Sequence, residues 1–323
     1  MLFIRNTIFK TLRLGALPGL LRSKKANQLT VLCFHRVTND SDFFFEPIRP
    51  KNFELLLIYL VKHYSIVGFK NIHEETPRPK LILSFDDGYY DFIENVLPLL
   101  IKYELPCNLN LVNNCLNSND IIWTQTLNDI FNYLKDNSIK SSELIEKHSI
   151  SLAQCKNNWM SYFLAFFKVL LNKSKTERDS IIRELLVLYP AKKKYRMMNW
   201  NDAELCVKNG IEIGSHTYSH DSLKTINDSS DFDFEIKRSV NEIESKLNIK
   251  VNVLALPNGQ YNKNVIDACA ATDLNYVLAT DNGTTAISDL KNKTVVVDRV
   301  LMVNESISEM ILRSELFHTR LRK

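Results

Sequence analysis

Six cysteines occur in the 323-residue chain, and none is arranged as a CxxC pair. Cys33, Cys107, Cys115, Cys155, Cys206 and Cys269 mostly sit in apolar runs, which reads as reduced, buried thiols of a cytoplasmic protein. Charge of one sign is also in short supply. The formal net charge is +4, with Lys and Arg spread along the chain, too weak a balance to argue for nucleic acid. It suits an anionic glycan or an anionic membrane surface and demands neither. Long apolar runs are missing too. The N-terminal stretch MLFIRNTIFKTLRLGALPGLLRSKKANQ is interrupted by Arg5, Lys10 and Arg13, so no clean signal-peptide core forms. Its apolar stretches are too short to span a bilayer. The expectation is a cytoplasmic protein, at most peripheral to the inner face of the membrane through residues 1–25. No repeat or low-complexity tract stands out. What remains, 45% hydrophobic and 24% charged residues, is an ordinary globular composition of one large or two small domains.

Residues 1–28 read as an N-terminal extension. Ile4, Ile8, Leu12 and Leu14 lie near one side of a helix, with Arg5, Lys10 and Arg13 available to lipid phosphates. An amphipathic surface helix and a helix packed on the domain both fit. Residues 29–323 then form one domain. Short apolar strands are expected at 29–34, 81–85, 107–112, 211–214, 251–256, 275–279 and 295–297. Helical patterns fall between them at 52–63, 91–103, 201–209, 233–247 and 262–272. Strands alternating with helices argue for a parallel α/β architecture. From about 115 to 196 the rhythm breaks into helical, Lys-, Asn- and Ser-rich sequence without a convincing strand, read as an insertion between two strands.

The strand LILSF (81–85) delivers Asp86 and Asp87 side by side, with Gly88 after them. Such a strand can end this way merely to turn, but strand C-termini in barrels are also where chemistry collects. A second strand runs into EIGSHTYSH (212–220), which spaces His216 and His220 as HxxxH. On a helical turn that spacing puts both imidazoles on one face. Two histidines and one carboxylate make a three-ligand site with open positions, the pattern of a hydrolytic metal centre, with zinc favoured by the ligand set. One aspartate then binds the ion and the other accepts a proton from water.

SFDDG followed by SHTYSH resembles the NodB-type polysaccharide deacetylases, carbohydrate esterases whose signatures are TFDDG and H[ST]xxH. The resemblance covers roughly residues 30–300 outside the insertion. It implies an irregular, incomplete (β/α) barrel and hydrolysis of N-acetyl groups on sugars. It also implies Asp87, His216 and His220 as metal ligands and Asp86 as general base. The stretch VLCFHRV (31–37) resembles the YHRV opening of the subgroup that includes poly-N-acetylglucosamine deacetylases, which implies His35 as general acid.

ALPNGQY (255–261) departs from the family's Arg-any-Pro-aromatic motif, with Ala255 in place of the arginine and Asn258 in place of the aromatic residue. The backbone N–H of Asn258 matches the oxyanion donor, a role that uses only the main chain. Arg299, after a late strand, is the candidate to orient Asp86 instead, with a surface pair to Asp298 as the competing reading. Trp123, Trp200 and Tyr261 are candidates to wall a sugar cleft, against aromatic core packing. The expected substrate is an N-acetylated polysaccharide or lipid-linked glycan. An O-acetyl esterase, a non-sugar amidase and a degenerate glycan-binding barrel are the rivals.

Overall fold

A computed structural model describes residues 2–118, 120–139, 143–148, 151–191, 195–226 and 228–320, the side chains of 2–4 and 319–320 excepted. The strands are β1 (Gln28–Phe34), β2 (Ser65–Ile66), β3 (Lys80–Phe85), β4 (Asn108–Leu111), β5 (Glu212–Ser215), β6 (Val253–Ala255), β7 (Tyr276–Leu278), β8 (Thr285–Ala286), β9 (Val295–Val297) and β10 (Arg299–Leu301). They form one sheet in the order β10-β1-β3-β4-β5-β6-β7-β9, with β2 beside β3 and β8 beside β1. Every pairing is parallel except β1 with β8.

The two edges of this order come from one stretch of chain. β9 pairs with β7, and β10, one residue later, pairs with β1. Asp298 stands between them, its N–H donated to Thr285 Oγ1 at 3.0 Å. The sheet is thereby nearly closed into the expected (β/α) barrel. All six positions of β3 are buried, as are all but the first of β1. That is why both read as continuous apolar runs rather than alternating ones.

The expected strands and helices are present. Three short strands, β2, β8 and β10, were not expected. β2 and β8 have two residues each, too few to show any periodicity. Two of the expected helices open with a wide π-type turn, at Phe92–Val96 and Asp233–Arg238. Between the short helix Asn113–Ser118 and the helix Trp200–Lys208 that precedes β5, the described residues hold four helices, Trp123–Asp136, Glu143–His148, Trp159–Leu171 and Lys175–Leu188. They carry a core of their own, including Leu127, Phe131, Phe163 and Phe166. Phe44, from the loop after β1, plugs into that core and ties it to the barrel rim.

At the N-terminus, the helix Leu2–Leu14 lies along the helix Ile307–Ser314. Arg5 Nε donates to Glu309 Oε1 at 2.6 Å, and Phe9 packs on Phe317 and His318. Ile8, Leu14 and Leu20 stay exposed. Among the described residues no helix is long and apolar enough to cross a membrane.

Candidate active site

The C-terminal ends of β1, β3, β5, β6 and β10 converge on a cavity of about 510 Å³. Asp86 follows β3 directly, its N–H still donated to Phe34 O at 3.0 Å. Then the chain leaves the strand: Asp87 has φ 76° and Gly88 φ 81°. Asp tolerates this left-handed region better than most residues. Gly88 is required twice over, because a Cβ there would also meet Leu111 Cδ2 at 2.9 Å. This kink is what lets two adjacent carboxylates enter one cavity. Met198 N–H bonds Gly88 O at 2.8 Å and Tyr90 N–H bonds Arg196 O at 2.9 Å, so the far end of the helical insertion clamps the turn.

His216 and His220 do not lie on a helical turn, contrary to the expectation from their spacing. They occupy a loop after β5 in which Thr217 (φ 66°) and His220 (φ 58°) are left-handed. The loop still turns both imidazoles onto Asp87. His216 Nε2 is 3.4 Å and His220 Nε2 3.5 Å from Asp87 Oδ1. A carbonyl can only accept, so Ala255 O, 2.8 Å from His216 Nδ1, fixes the hydrogen there and turns the Nε2 lone pair toward Asp87. Burial drives His220 down to about 3, outweighing Asp87, so its ring is neutral at ordinary pH. His216 moves the other way: burial lowers it, but Asp86 and Asp87 together raise it.

Asp87 Oδ1 is buried and has no hydrogen-bond partner among the described residues. An orphaned carboxylate oxygen facing two imidazole nitrogens, all three ligand atoms within 4.8 Å of one another, suits a divalent cation with three protein ligands. The donor set of one oxygen and two nitrogens fits zinc or a neighbouring transition ion.

Asp86 has other partners. Its Oδ1 accepts from Arg299 Nη1 at 2.8 Å and from Asn110 Nδ2 at 2.8 Å. Arg299, 1% exposed, also donates Nε–H to Ala279 O at 3.1 Å. Of the two readings of Arg299, its guanidinium faces inward to Asp86 and not outward to Asp298. Burial alone would raise the Asp86 carboxyl, but Arg299 and then His216 hold it well below the usual carboxylate range. Its Oδ2 faces Cys33 Sγ at 3.5 Å and His216 Nε2 at 3.9 Å.

His35 stands just past β1, half-buried at the cavity wall, with a ring nitrogen within 4.8 Å of the ligand atoms of Cys33 and Asp86. Asn258 lines the cavity from the turn Pro257–Gly259, with φ 58°. Apolar side chains also line the cavity: Phe43 and Phe45 from the loop after β1, Met160 and Phe167 from the insertion.

The three proposed cleft aromatics do not line this cavity. Trp123 is 7% exposed, stacks on Phe167 and donates its indole N–H to His220 O at 3.1 Å, so it braces the histidine loop from behind. Trp200 starts a barrel helix and bonds Asn117 Oδ1 at 2.8 Å. Tyr261 lies outside with Asp281 as partner. Sequence reasoning missed Asn110 and Cys33. The signal for Asn110 was there: in CNLNL, polar residues at 108 and 110 alternate within a buried strand, placing both on one face.

Residues 73–277 match the family model for polysaccharide deacetylase. The chain belongs to the polysaccharide deacetylase family. Membership makes it a carbohydrate deacetylase, and the matched span holds Asp86, Asp87, His216, His220 and Asn258 but not Cys33, His35 or Arg299. Among solved structures, the deacetylase PplD of Streptococcus pyogenes aligns with a TM-score of 0.58 at 15% identity, covering 89% of this chain and 98% of that one. IcaB of Ammonifex degensii aligns with a TM-score of 0.58 at 15% identity, over 90% and 98% of the two chains. A de-N-acetylase of Aggregatibacter actinomycetemcomitans gives 0.55 at 16% identity, over 88% and 100%. At such identities the likeness is one of fold. No curated protein matches the chain.

Proposed function

We propose that this deacetylase is a metal-dependent hydrolase that removes N-acetyl groups from amino sugars of a polysaccharide or lipid-linked glycan. One observation carries the reading: two adjacent carboxylates face different partners, Asp87 two imidazoles and Asp86 an arginine and an amide. Asp87, His216 and His220 would hold the ion, zinc by the donor set. When bound, it supplies Lewis-acid polarisation of the acetyl carbonyl and acidifies a water.

The remaining steps belong to the chain. Asp86, ionised and pinned through Oδ1, presents Oδ2 to take a proton from the attacking water. The water oxygen bonds to the acetyl carbon, and the backbone N–H of Asn258 faces the oxyanion that develops. His35, at the cavity wall, gives a proton to the nitrogen as the C–N bond breaks. Acetate and a free amino sugar leave. Phe43, Phe45 and Phe167 offer the faces on which sugar rings can lie. The CFHRV stretch (33–37) supports placement beside the poly-N-acetylglucosamine deacetylases.

Acetate release should be measured on soluble, polymeric and lipid-linked N-acetyl sugars and on O-acetyl esters of the same sugars, before and after chelation and zinc repletion. The reading expects N-acetyl hydrolysis that chelation abolishes and zinc restores. Hydrolysis of the esters alone, or activity indifferent to chelation, would overturn it.

A further inference from the structure

Cys33 has no part in the proposed reaction, yet its thiol points at the reacting carboxylate. Cys33 Sγ, a ring nitrogen of His35 and a carboxylate oxygen of Asp86 lie within 4.8 Å of one another, a limit that the Asp87 trio also meets. Two features make the grouping usable. Cys33 and His35 are two residues apart at the end of β1, the spacing that puts side chains on one face of a strand. Asp86 Oδ1 is consumed by Arg299 and Asn110, which leaves Oδ2, already facing the sulfur at 3.5 Å, as the oxygen free to coordinate. All three residues line the same open cavity, so an ion needs no separate entrance.

We propose that Cys33, His35 and Asp86 form a second, weaker metal site that takes a thiophilic divalent ion such as zinc, and that filling it shuts the enzyme down. The shutdown rests on the roles assigned to Asp86 and His35 above; the ligand assignment does not. A sulfur, a nitrogen and an oxygen donor select zinc or cobalt over magnesium or calcium, which want oxygen alone.

Binding proceeds with loss of the Cys33 proton to solvent, the thiolate sulfur then donating to the ion. One feature makes this site fill after the Asp87 trio: the Arg299 guanidinium, 2.8 Å from Asp86, repels a cation beside that carboxylate. The two sites adjoin, His216 Nε2 and Asp86 Oδ2 being 3.9 Å apart. An ion in the second site would hold both the proposed base and the proposed acid as ligands, and neither could then move a proton.

The test is a cobalt(II) titration of the full-length protein, followed by elemental analysis and by the thiolate-to-cobalt charge-transfer absorption. The first equivalent should bind without that band, since the Asp87 trio has no sulfur. A second equivalent should bring it. Cys33→Ser, with Cys33→Ala as a second variant, should lose the second equivalent and the band while keeping the first. His220→Ala should weaken the first and keep the band. In parallel, excess zinc should cut wild-type activity about 10²-fold, the weight of a positioned acid or base. Cys33→Ser should hold its own limiting-zinc rate when zinc is in excess. No band in the wild type, or a band that survives in both Cys33 variants, would overturn the site. A band without inhibition would overturn the shutdown and the proton-transfer roles, while the ligand assignment would stand.

Discussion

Asp86 and Asp87 are neighbours in the chain, 2% and 4% exposed, and they belong to two differently built halves of one site. The Asp87 half is compact in sequence: both imidazoles come from a single loop, and all three residues fall inside the matched span 73–277. The Asp86 half is assembled from afar. Asn110 comes from β4, Cys33 and His35 from β1, and Arg299 from β10, separated from Asp86 by 213 residues. Arg299, Cys33 and His35 all lie outside the matched span. The half proposed to hold the ion is therefore written in contiguous motifs, whereas the half proposed to move protons exists only once β10 has closed the barrel against β1.

The sharpest way to separate the halves is through His35. His35→Ala should keep its fold and the ion at the Asp87 trio but slow amide hydrolysis by about 10²-fold or more, the usual weight of a positioned acid. An activated aryl acetate, whose leaving group departs without a proton, should be hurt far less. Equal losses on the two substrates would remove His35 from the acid role.

A smaller effect is expected at the closure itself. Arg299→Met strips the charge from a buried pair and leaves Asp86 Oδ1 with Asn110 alone. The fold should lose about 3–5 kcal/mol in urea denaturation, the cost of orphaning a buried charge. The Asp87 half, with no contact to Arg299 among the described hydrogen bonds, should still bind its ion. A loss below about 1 kcal/mol, the range of exposed pairs, would contradict this picture of the closure.

How much of this was legible follows the same division. SFDDG, SHTYSH and PNG are local strings, and each lies at the cavity after its own strand. The spacing of His216 and His220 carried the convergence but not the conformation; two left-handed residues do what a helical turn was expected to do. Arg299 was readable only as a candidate, because its pairing with Asp86 depends on β10, three residues long and absent from the strand pattern. The aromatic residues misled because Trp and Tyr brace loops and cap helices as readily as they wall a cleft. Of the phenylalanines that do line the cavity, Phe43, Phe44 and Phe45 sit in a loop with no periodicity to flag them.

That loop gives the mildest prediction. Asp42 fastens it to the insertion, accepting from Asn128 Nδ2 at 2.5 Å, Tyr195 Oη at 2.9 Å and the Phe44 and Phe45 N–H groups at 3.0 and 3.2 Å. Burial alone would raise the Asp42 carboxyl, but the bonds from Asn128, Asn132 and the rest outweigh it and the net shift is downward. A carboxyl lowered in the fold stabilises it above the unfolded value, about 3.9, and stops doing so as pH falls through the folded value. Acid below about pH 4 should therefore release Phe43–Phe45 before the barrel opens. Asp42→Asn should do the same at neutral pH at a cost of about 1–3 kcal/mol. Hydrogen exchange checks this: amides at 42–45 should exchange faster than those of β1, and unchanged protection in Asp42→Asn would contradict it.

The division of labour between the two aspartates is tested most directly by measuring metal content and acetate release on Asp86→Asn and Asp87→Asn side by side. Asp87→Asn should lose both the ion and the activity. At limiting zinc, Asp86→Asn should keep its one equivalent of ion and lose about 10²–10⁴-fold in turnover. An Asp86→Asn protein that comes out metal-free while Asp87→Asn stays loaded would reverse the assignment.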